Sequence, residues 1–285
     1  MTGDPVWVNG SLDGRIDPRD RGLTLGDGVF DTLVAFRRIP FAGERHLARV
    51  TDHAAAIGIA LDPGRVRAGW DAVLGEARFE HSIVRTTVTR GVTGRGLWPE
   101  SPPEPTIVVS ATPWSAGAAA RPVRLTTSAI VRNAASPTSR LKSIGYLDNI
   151  LAAREAAEKG ADDALLLNDR GHAACTTVAN VFVLSGDTLI TPPVADGVMA
   201  GIMRGLVMEA APNAALGAVE GSLAMANLRA ADQVFVTNSV RLVSSVQSLD
   251  GQPLGAKSED AVAALLGLIA ERIEDGCGFD PRSGG

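Results

Sequence analysis

Residues 138–160 read TSRLKSIGYLDNILAAREAAEKG, and this stretch guides the interpretation of the whole chain because it contains Lys142. Lysine is rare in this protein: Lys142, Lys159 and Lys257 are the only lysines among 27 basic residues. A position that needs only a positive charge is served equally well by arginine. A lysine that is retained therefore indicates either chance or chemistry that a guanidinium group cannot perform.

The sequence around each lysine suggests how it is used. Lys159 follows Glu155 by four residues on a predicted helix, which is the spacing of an exposed ion pair. Lys257 lies in a polar segment before the last predicted helix, where a solvated role suffices. Lys142 lies where a predicted strand gives way to a helix, and it is either a surface lysine or a lysine that forms a Schiff base. Only a primary amine condenses with an aldehyde, and partial burial would help that amine lose its proton.

The composition is that of an ordinary globular protein. The 285 residues are 45% hydrophobic and 21% charged, enough for one large domain or two modest ones. A net charge of −5 disfavours nucleic acid as the main partner. We find no long apolar run and no secretory signal pattern, and therefore expect a cytoplasmic protein without a membrane partner. Cys175 and Cys277 form no CxxC pair and the histidines are scattered, so we expect neither a disulfide scaffold nor a metal site.

Strand-like and helix-like segments alternate along the chain, which predicts a mixed α/β (α+β) fold with two domains. We expect a smaller N-terminal α/β domain over residues 1–114, a small-residue linker over 115–122 and a larger C-terminal domain over 123–276. A loop dense in glycine and proline spans residues 91–105. The last residues, 277–285, are mostly small or polar, and we expect them to form a flexible tail.

Three segments could bind a phosphate group. Gly201 precedes a helix that starts at Ile202, and helix N-termini present backbone N–H groups. Asn238 and Ser239 form a polar turn after an apolar strand. Arg49 lies among the apolar positions of its helix and could add a charge-assisted contact. Taken singly, each segment has a simpler interpretation as a turn or as a salt-bridge residue.

Together these segments resemble a known family. Their order is similar to that of the class IV aminotransferases, the fold-type IV enzymes that use pyridoxal 5'-phosphate. The resemblance extends from about Val6 to Gly251. It is carried by the motifs GDGVF (26–30), HLAR (46–49), LKSIGYLDN (141–149), GIMR (201–204) and VTNS (236–239).

The resemblance implies a role for each motif. Lys142 would hold the cofactor as an internal aldimine and then act as the catalytic acid and base. The other residues that would bind the cofactor are Arg49, Cys175, Thr176, Gly201, Ile202, Met203, Asn238 and Ser239. The family also implies a cofactor in the interdomain cleft, a small amino-acid-like substrate, and a homodimer in which loops of each subunit complete the other's site.

One position departs from the family pattern. The family carries a glutamate five residues before the asparagine that is Asn180 here, and this glutamate pairs with the pyridine nitrogen of the cofactor. In this chain the position is Cys175. A neutral thiol would be a poor partner and a thiolate would need a lowered pKa, whereas the cysteine could also simply fill space. The departure favours a reaction that needs less electron withdrawal by the cofactor ring, such as elimination. The alternative is a degenerate family member with weak or no activity.

The residues on the substrate side favour a lyase. Phe30 and the loop around Arg95 resemble aminodeoxychorismate lyases, which convert 4-amino-4-deoxychorismate to 4-aminobenzoate and pyruvate. Arg95 is our candidate for the substrate carboxylate, Leu97 stands where D-amino-acid aminotransferases carry a histidine, and Tyr146 could line the site. The alternatives are aminotransferases that act on D-amino acids or branched-chain amino acids with a 2-keto acid acceptor. Against the lyase, residues 100–114 offer no second arginine for a dicarboxylate.

Overall fold

The computed structural model describes residues 4–99 and 103–283, which fold into two compact units. The first unit comprises the described residues up to Trp114, together with Leu141–Gly145 and Gly276–Phe279. Both units combine strands with helices, which confirms the predicted α/β fold class.

The second unit comprises Ser115–Arg140, Tyr146–Asp275 and the described residues after Phe279. Residues 115–122, predicted as a linker, are therefore part of this unit. The chain also returns to the first unit twice, and the predicted domain boundaries do not include these two segments. The segment around Lys142 belongs to the first unit, and so does the end of the last helix.

The predicted flexible tail is packed over its first residues. Cys277 is buried, and the ring of Phe279 stacks on Phe36 with 5.4 Å between the ring centroids. His81 lies against the same Phe279 ring at 4.0 Å. The tail prediction was wrong here because one aromatic side chain provides enough apolar surface to dock a segment of otherwise small and polar residues. The last two residues of the chain, and residues 100–102 of the predicted loop, lie outside the described part.

Within the described residues, the first unit is built on a five-stranded antiparallel sheet with the order β1-β5-β4-β2-β3. Its strands are β1 (Val6–Val8), β2 (Gly28–Phe36), β3 (Ile39–Pro40), β4 (Ser82–Thr89) and β5 (Thr106–Pro113). Its helices are α1 (Arg21–Leu25), α2 (Gly43–Ala56) and α3 (Pro63–Glu76). Strand β3 pairs only with the end of β2, which leaves the start of β2 open on that side.

Alternation along β2 and β4 decides which side chains face α2 and α3. Val29 and Leu33 of β2, and Val88 and Val84 opposite them on β4, are buried in one core with these helices. Asp31 lies between Val29 and Leu33 and therefore shares their face, because successive side chains of a strand point to opposite sides. A carboxylate is thus placed on the core side of the sheet.

Over the described residues, the second unit contains a nine-stranded sheet with the order β11-β10-β9-β12-β13-β6-β7-β8, and β14 pairs with β13. Its strands are β6 (Val123–Thr127), β7 (Asp163–Leu167), β8 (Ala173–Thr176), β9 (Asn180–Ser185), β10 (Thr188–Thr191), β11 (Gly217–Glu220), β12 (Gln233–Asn238), β13 (Leu242–Leu249) and β14 (Gln252–Pro253). Its helices are α4 (Leu147–Glu158), α5 (Ile202–Ala210), α6 (Met225–Ala230) and α7 (Glu259–Cys277), and α7 ends in the first unit. The pairing of Cys175 on β8 with Asn180 on β9 closes six of these strands into a ring.

Candidate active site

The Lys142 segment is hydrogen-bonded to the open start of strand β2. The Phe30 N–H donates to the Lys142 carbonyl at 2.8 Å, and the Ile144 N–H donates to the Gly28 carbonyl at 3.1 Å. Gly28 has no room for a side chain, because a Cβ there would lie 2.5 Å from the Val88 carbonyl oxygen. The glycine of the GDGVF motif thus allows close packing of β2 and β4 beside the lysine segment.

The amine of Lys142 lies in a half-buried environment beside an aromatic ring. Its Nζ is 4.4 Å from the centroid of the Phe30 ring. Burial, and then the charge of Arg49, lower the pKa of Lys142 to about 8. Near neutral pH, a larger fraction of this amine is therefore unprotonated than in an ordinary lysine. This environment suits Schiff-base chemistry, and the role itself stays a prediction.

Arg49 is held by a buried carboxylate that the sequence analysis missed. Its Nε lies 2.7 Å from Asp31 Oδ2 and its Nη2 lies 3.0 Å from Asp31 Oδ1. His46 Nδ1 lies 2.6 Å from the same Oδ1. Burial alone would raise the pKa of Asp31, but Arg49 and His46 outweigh burial and hold it well below its usual range. The sequence does contain a signal for Asp31, namely an acidic residue at a core-facing position of an apolar strand.

Two further side chains of the first unit surround the lysine. His53 Nδ1 accepts a hydrogen bond from the backbone N–H of Lys142 at 3.1 Å. The Arg85 guanidinium carbon lies 3.8 Å from the centroid of the Phe30 ring, and Arg85 is exposed. The first unit therefore brings the predicted residues Phe30, Arg49 and Lys142 together and adds these two.

In the second unit, the predicted phosphate-binding segment forms a helix N-terminus. Gly201 is the N-cap of α5, and Ile202 and Met203 are its first residues, whose N–H groups have no partner within a helix. A Cβ at position 201 would lie 2.0 Å from Asn180 Oδ1. Asn180 Nδ2 in turn donates to the Met199 carbonyl at 2.9 Å. The turn before α5 is therefore shaped so that only glycine fits, and it suits an anionic group.

The second predicted phosphate segment is a tight turn after β12. Asn238 Oδ1 accepts hydrogen bonds from the N–H groups of Val240, at 2.9 Å, and Arg241, at 2.7 Å. The carbonyl oxygen of the Asn238 side chain is therefore engaged in shaping the turn, which includes the half-buried Ser239. Phosphate binding by this turn remains a prediction.

Cys175 is a buried neutral thiol. Its side chain packs with Ala174 and Val198, and burial raises its pKa. A thiolate at this position would need the opposite shift, so the structure favours the neutral thiol among the alternatives. Thr176 beside it is also buried, and its Oγ1 accepts a hydrogen bond from the Ala179 N–H at 3.0 Å. Thr176 thereby stabilises the turn between β8 and β9.

The predicted substrate residues other than Phe30 lie in a loop of the first unit and at the start of α4 in the second unit. Arg95 and Leu97 lie in an exposed loop, with Leu97 83% exposed. This loop is held by Arg21, which donates to the carbonyls of Gly96, at 2.7 Å, and Leu97, at 2.6 Å. Tyr146 is half-buried at the start of α4 in the second unit.

The described residues offer donor groups that suit pyridoxal phosphate. Among the residues that the structure describes, no group of three or more His, Cys, Asp or Glu side chains could hold a metal ion. In the same part of the chain, no helix is long and apolar enough to span a membrane. Lys142 offers an amine of lowered pKa for an aldehyde, and the cap of α5 offers N–H groups beside a position that excludes a Cβ.

Comparison with known proteins agrees with this assignment. A family model described as amino-transferase class IV matches residues 28–249. A protein of Methanocaldococcus jannaschii, provisionally named a branched-chain-amino-acid aminotransferase, is 30% identical over 280 residues, which cover 95% of each chain. The aminodeoxychorismate lyase of Bacillus subtilis is 24% identical over 278 residues, again 95% of each chain. A solved structure from Legionella pneumophila, provisionally named a 4-amino-4-deoxychorismate lyase, has a TM-score of 0.84 at 28% identity and covers 92% of this chain and 97% of that chain.

The matched region contains every predicted cofactor and substrate residue, from Phe30 to Ser239. Members of the matched family are pyridoxal-phosphate enzymes with aminotransferase or lyase activity. The chain belongs to the class IV aminotransferases, the family that the motifs around Lys142 indicated.

Proposed function

We propose that this enzyme is a lyase that acts on 4-amino-4-deoxychorismate and releases 4-aminobenzoate and pyruvate. The observation that carries the proposal is the placement of Arg85 and Lys142 against one ring. The Arg85 guanidinium carbon is 3.8 Å and the Lys142 Nζ 4.4 Å from the centroid of Phe30. A carboxylate bound by Arg85 would therefore keep the substrate within reach of the amine. Arg85 is the second arginine that the sequence analysis lacked, and it comes from strand β4 rather than from the loop.

Cys175 favours elimination over transamination. A neutral thiol cannot compensate a positive charge on a ring nitrogen, so the cofactor would withdraw electrons less strongly. Loss of pyruvate from 4-amino-4-deoxychorismate forms an aromatic ring, and aromaticity drives the reaction without full electron withdrawal by the cofactor. The buried, uncharged state of Cys175 supports this preference.

The residues of the chain would divide the work as follows. Pyridoxal phosphate, when bound, supplies the aldehyde and an electron-withdrawing ring. Lys142 Nζ would accept a proton from the substrate and return it, because a pKa of about 8 populates both of its protonation states near neutral pH. Asp31 would hold the guanidinium of Arg49, which the family resemblance assigns to the phosphate. Arg85 would bind a substrate carboxylate.

The test is incubation of the enzyme and pyridoxal phosphate with 4-amino-4-deoxychorismate in the absence of a keto acid. We expect 4-aminobenzoate to form, Arg85→Met to raise the KM by roughly tenfold or more, and Arg78→Met, a change at an exposed arginine of the same unit, to have little effect. Lys142→Ala should abolish turnover and Lys159→Ala should not. Absence of 4-aminobenzoate would refute the lyase assignment.

The second candidate is an aminotransferase, favoured by the 30% identity to the Methanocaldococcus jannaschii protein. It predicts no turnover without an acceptor, and catalytic transfer of the amino group from D-amino acids or branched-chain amino acids to a 2-keto acid. A degenerate member would show neither reaction. Borohydride reduction with pyridoxal phosphate, followed by peptide mapping, separates an active enzyme from a degenerate member. An active enzyme should carry the label on Lys142 rather than on Lys159 or Lys257.

We also propose that the enzyme is a homodimer through helix α1 and the Arg95 loop. Leu23 of α1 is 71% exposed, and Leu97 and Trp98 of the loop are 83% and 73% exposed. The Arg21 N–H donates to the Gly91 carbonyl, so the helix is hydrogen-bonded to the start of the loop, and both expose large apolar side chains. A second copy on this surface would place Arg95 in its partner's site, as the family resemblance implies. Light scattering should give a dimer for the wild type and a monomer for a Leu23→Asp/Trp98→Ser variant.

A further inference from the structure

His53 is placed to control the backbone from which the reactive lysine extends. It lies on α2, one helical turn after Arg49, and its Nδ1 accepts the N–H of Lys142 at 3.1 Å. A ring nitrogen accepts a hydrogen bond only when it carries a lone pair. The imidazole must therefore be neutral, with its proton on Nε2.

Both polar main-chain groups of Lys142 are engaged within the first unit. The carbonyl accepts the N–H of Phe30 at 2.8 Å, and the N–H donates to His53. The bond to Phe30 joins backbone to backbone and does not titrate. The bond to His53 is the one that depends on a side chain and on its protonation state. A small rotation of this peptide unit would be amplified at Nζ, which lies at the end of a four-carbon side chain.

We propose that His53 is a positioning residue for Lys142, whose neutral imidazole fixes the lysine backbone and whose protonation releases it. The inference rests on the proposed role of Lys142 as the amine that binds the cofactor. In this proposal His53 contacts neither the aldehyde nor the phosphate of the cofactor and acts only through the Lys142 backbone. The position of the Lys142 amine then depends on pH through the protonation of His53 as well as through the amine's own protonation.

The surroundings of His53 keep it neutral under ordinary conditions. Burial lowers the pKa of His53, and the charge of Arg49 lowers it further. Asp31 and Asp52 act in the opposite direction, and Lys142 acts with Arg49. The net shift is downward from 6.5, so the acceptor is present at neutral pH and is lost only as the solution becomes acidic.

The test compares two substitutions at His53 in the full-length protein. His53→Asn places an amide oxygen near the position of Nδ1 and does not titrate, whereas His53→Ala removes the acceptor. His81 provides the matched control, because its Nδ1 accepts the Arg37 N–H at 3.2 Å in the same unit. The readouts are the pH dependence of Lys142 acetylation by acetic anhydride, measured by peptide mass spectrometry, and the dissociation constant of pyridoxal phosphate.

We expect His53→Ala to weaken pyridoxal phosphate binding by roughly three- to tenfold, the effect of losing one neutral hydrogen bond. His53→Asn should bind like the wild type, and its Lys142 acetylation profile should lack the acidic inflection of the wild type. His81→Ala should leave both readouts unchanged. Equal effects of the His53 and His81 variants, or unchanged profiles in both His53 variants, would overturn the inference.

A measurement on the wild type keeps the test valid if a variant fails to fold. Nitrogen-15 NMR of the His53 imidazole should show the proton on Nε2 at neutral pH, and a proton on Nδ1 would contradict the inference. These readouts need no substrate. Failure of the lyase assay would therefore leave them informative, and failure of the positioning role would leave the lyase assignment standing.

Discussion

The carboxylate of Asp31 receives Arg49 through two hydrogen bonds, of 2.7 and 3.0 Å, at a point where the Asp31 side chain is only 3% exposed. His46 provides a third contact to the same carboxylate. One buried anion therefore fixes the orientation of Arg49, which we predict to bind the phosphate of the cofactor. It also lies close enough to raise the pKa of Lys142, against the effects of burial and Arg49.

Removing the charge of Asp31 should destabilise the fold and weaken cofactor binding. We expect Asp31→Asn to lower the free energy of unfolding by about 3–5 kcal/mol, because Arg49 would be left buried without a counter-ion. Urea denaturation measures this change. Glu44→Gln is the control, since the Glu44–Arg67 pair is largely exposed and should contribute less than about 1 kcal/mol. A similar small loss in both variants would contradict the structural role given to Asp31.

The reactivity of Lys142 should follow its lowered pKa. In the full-length protein, acetylation of Lys142 should rise with pH around a midpoint near 8, because only the unprotonated amine reacts. Lys142 in the urea-unfolded protein serves as the reference and should react with a midpoint of about 10.4, the ordinary lysine value. Asp31→Asn should move the Lys142 midpoint of the folded protein further down, since Asp31 favours the protonated amine. Coincident profiles for the folded and the unfolded protein would argue against the half-buried site.

Adding one methyl group at Gly201 should disrupt the turn before α5. The Cβ of alanine would lie 2.0 Å from Asn180 Oδ1, so the turn must shift and the predicted contacts to the phosphate should weaken. We expect Gly201→Ala to reduce the affinity for pyridoxal phosphate by roughly tenfold or more, which absorbance titration would measure. Gly205→Ala on the same helix is the control. Apart from its chain neighbours and the backbone of its own helix, no atom of the described residues lies within 4 Å of a Cβ there, so this change should leave binding intact.

Acid should destabilise the protein before its carboxylates titrate. Burial lowers the pKa of His46, His53 and His81 from 6.5 in the folded state. Below pH 6.5 the unfolded chain therefore binds more protons than the folded chain, and the free energy of unfolding decreases as the pH falls. Thermal unfolding between pH 8 and pH 5 should show a falling Tm below pH 6.5. His81→Asn should reduce that slope, and a flat profile in the wild type would contradict the prediction.

The ring of Phe279 should contribute to stability although it lies near the end of the chain. It packs against Phe36 and His81, with Trp114 edge-on at 6.2 Å. Because Phe279 is half-exposed, we expect Phe279→Ala to lower the free energy of unfolding by about 2 kcal/mol. A fully buried phenylalanine would lose roughly 3–5 kcal/mol on the same change. Phe279→Leu should lower the free energy of unfolding by less than Phe279→Ala. Chemical denaturation would measure both, and an unchanged midpoint for Phe279→Ala would mean that this segment does not stabilise the unit.

Local patterns predicted much of the fold and supplied the candidate residues of the site. The two strands around the polar turn at Asn238 and Ser239 are β12 and β13, and the helix after Gly201 is α5. These elements were predictable because periodicity, glycines and turn residues act over a few neighbouring positions. Lys142 was identifiable as a candidate because lysine chemistry is specific and the chain otherwise prefers arginine.

Long-range pairings were not predictable from the same patterns. The hydrogen bond from Lys142 to His53 joins residues far apart in the sequence, and neither residue's neighbours indicate the other. Arg85 was missed because an arginine on the exposed face of a strand is usually solvated. Only the three-dimensional structure shows that Arg85 and Lys142 both lie against the ring of Phe30.

The first unit is completed by chain that is synthesised late. The last strand of its sheet ends at Pro113, but the segment that carries Lys142 follows only at Leu141–Gly145, and Phe279 comes later still. During synthesis on the ribosome, the sheet would emerge with the start of β2 uncovered and its aromatic cluster incomplete. Such an open strand is a site for wrong pairing until the later segments arrive. Newly made chains should therefore need protection at β2, and a fragment ending at Trp114 should aggregate rather than behave as a free-standing domain.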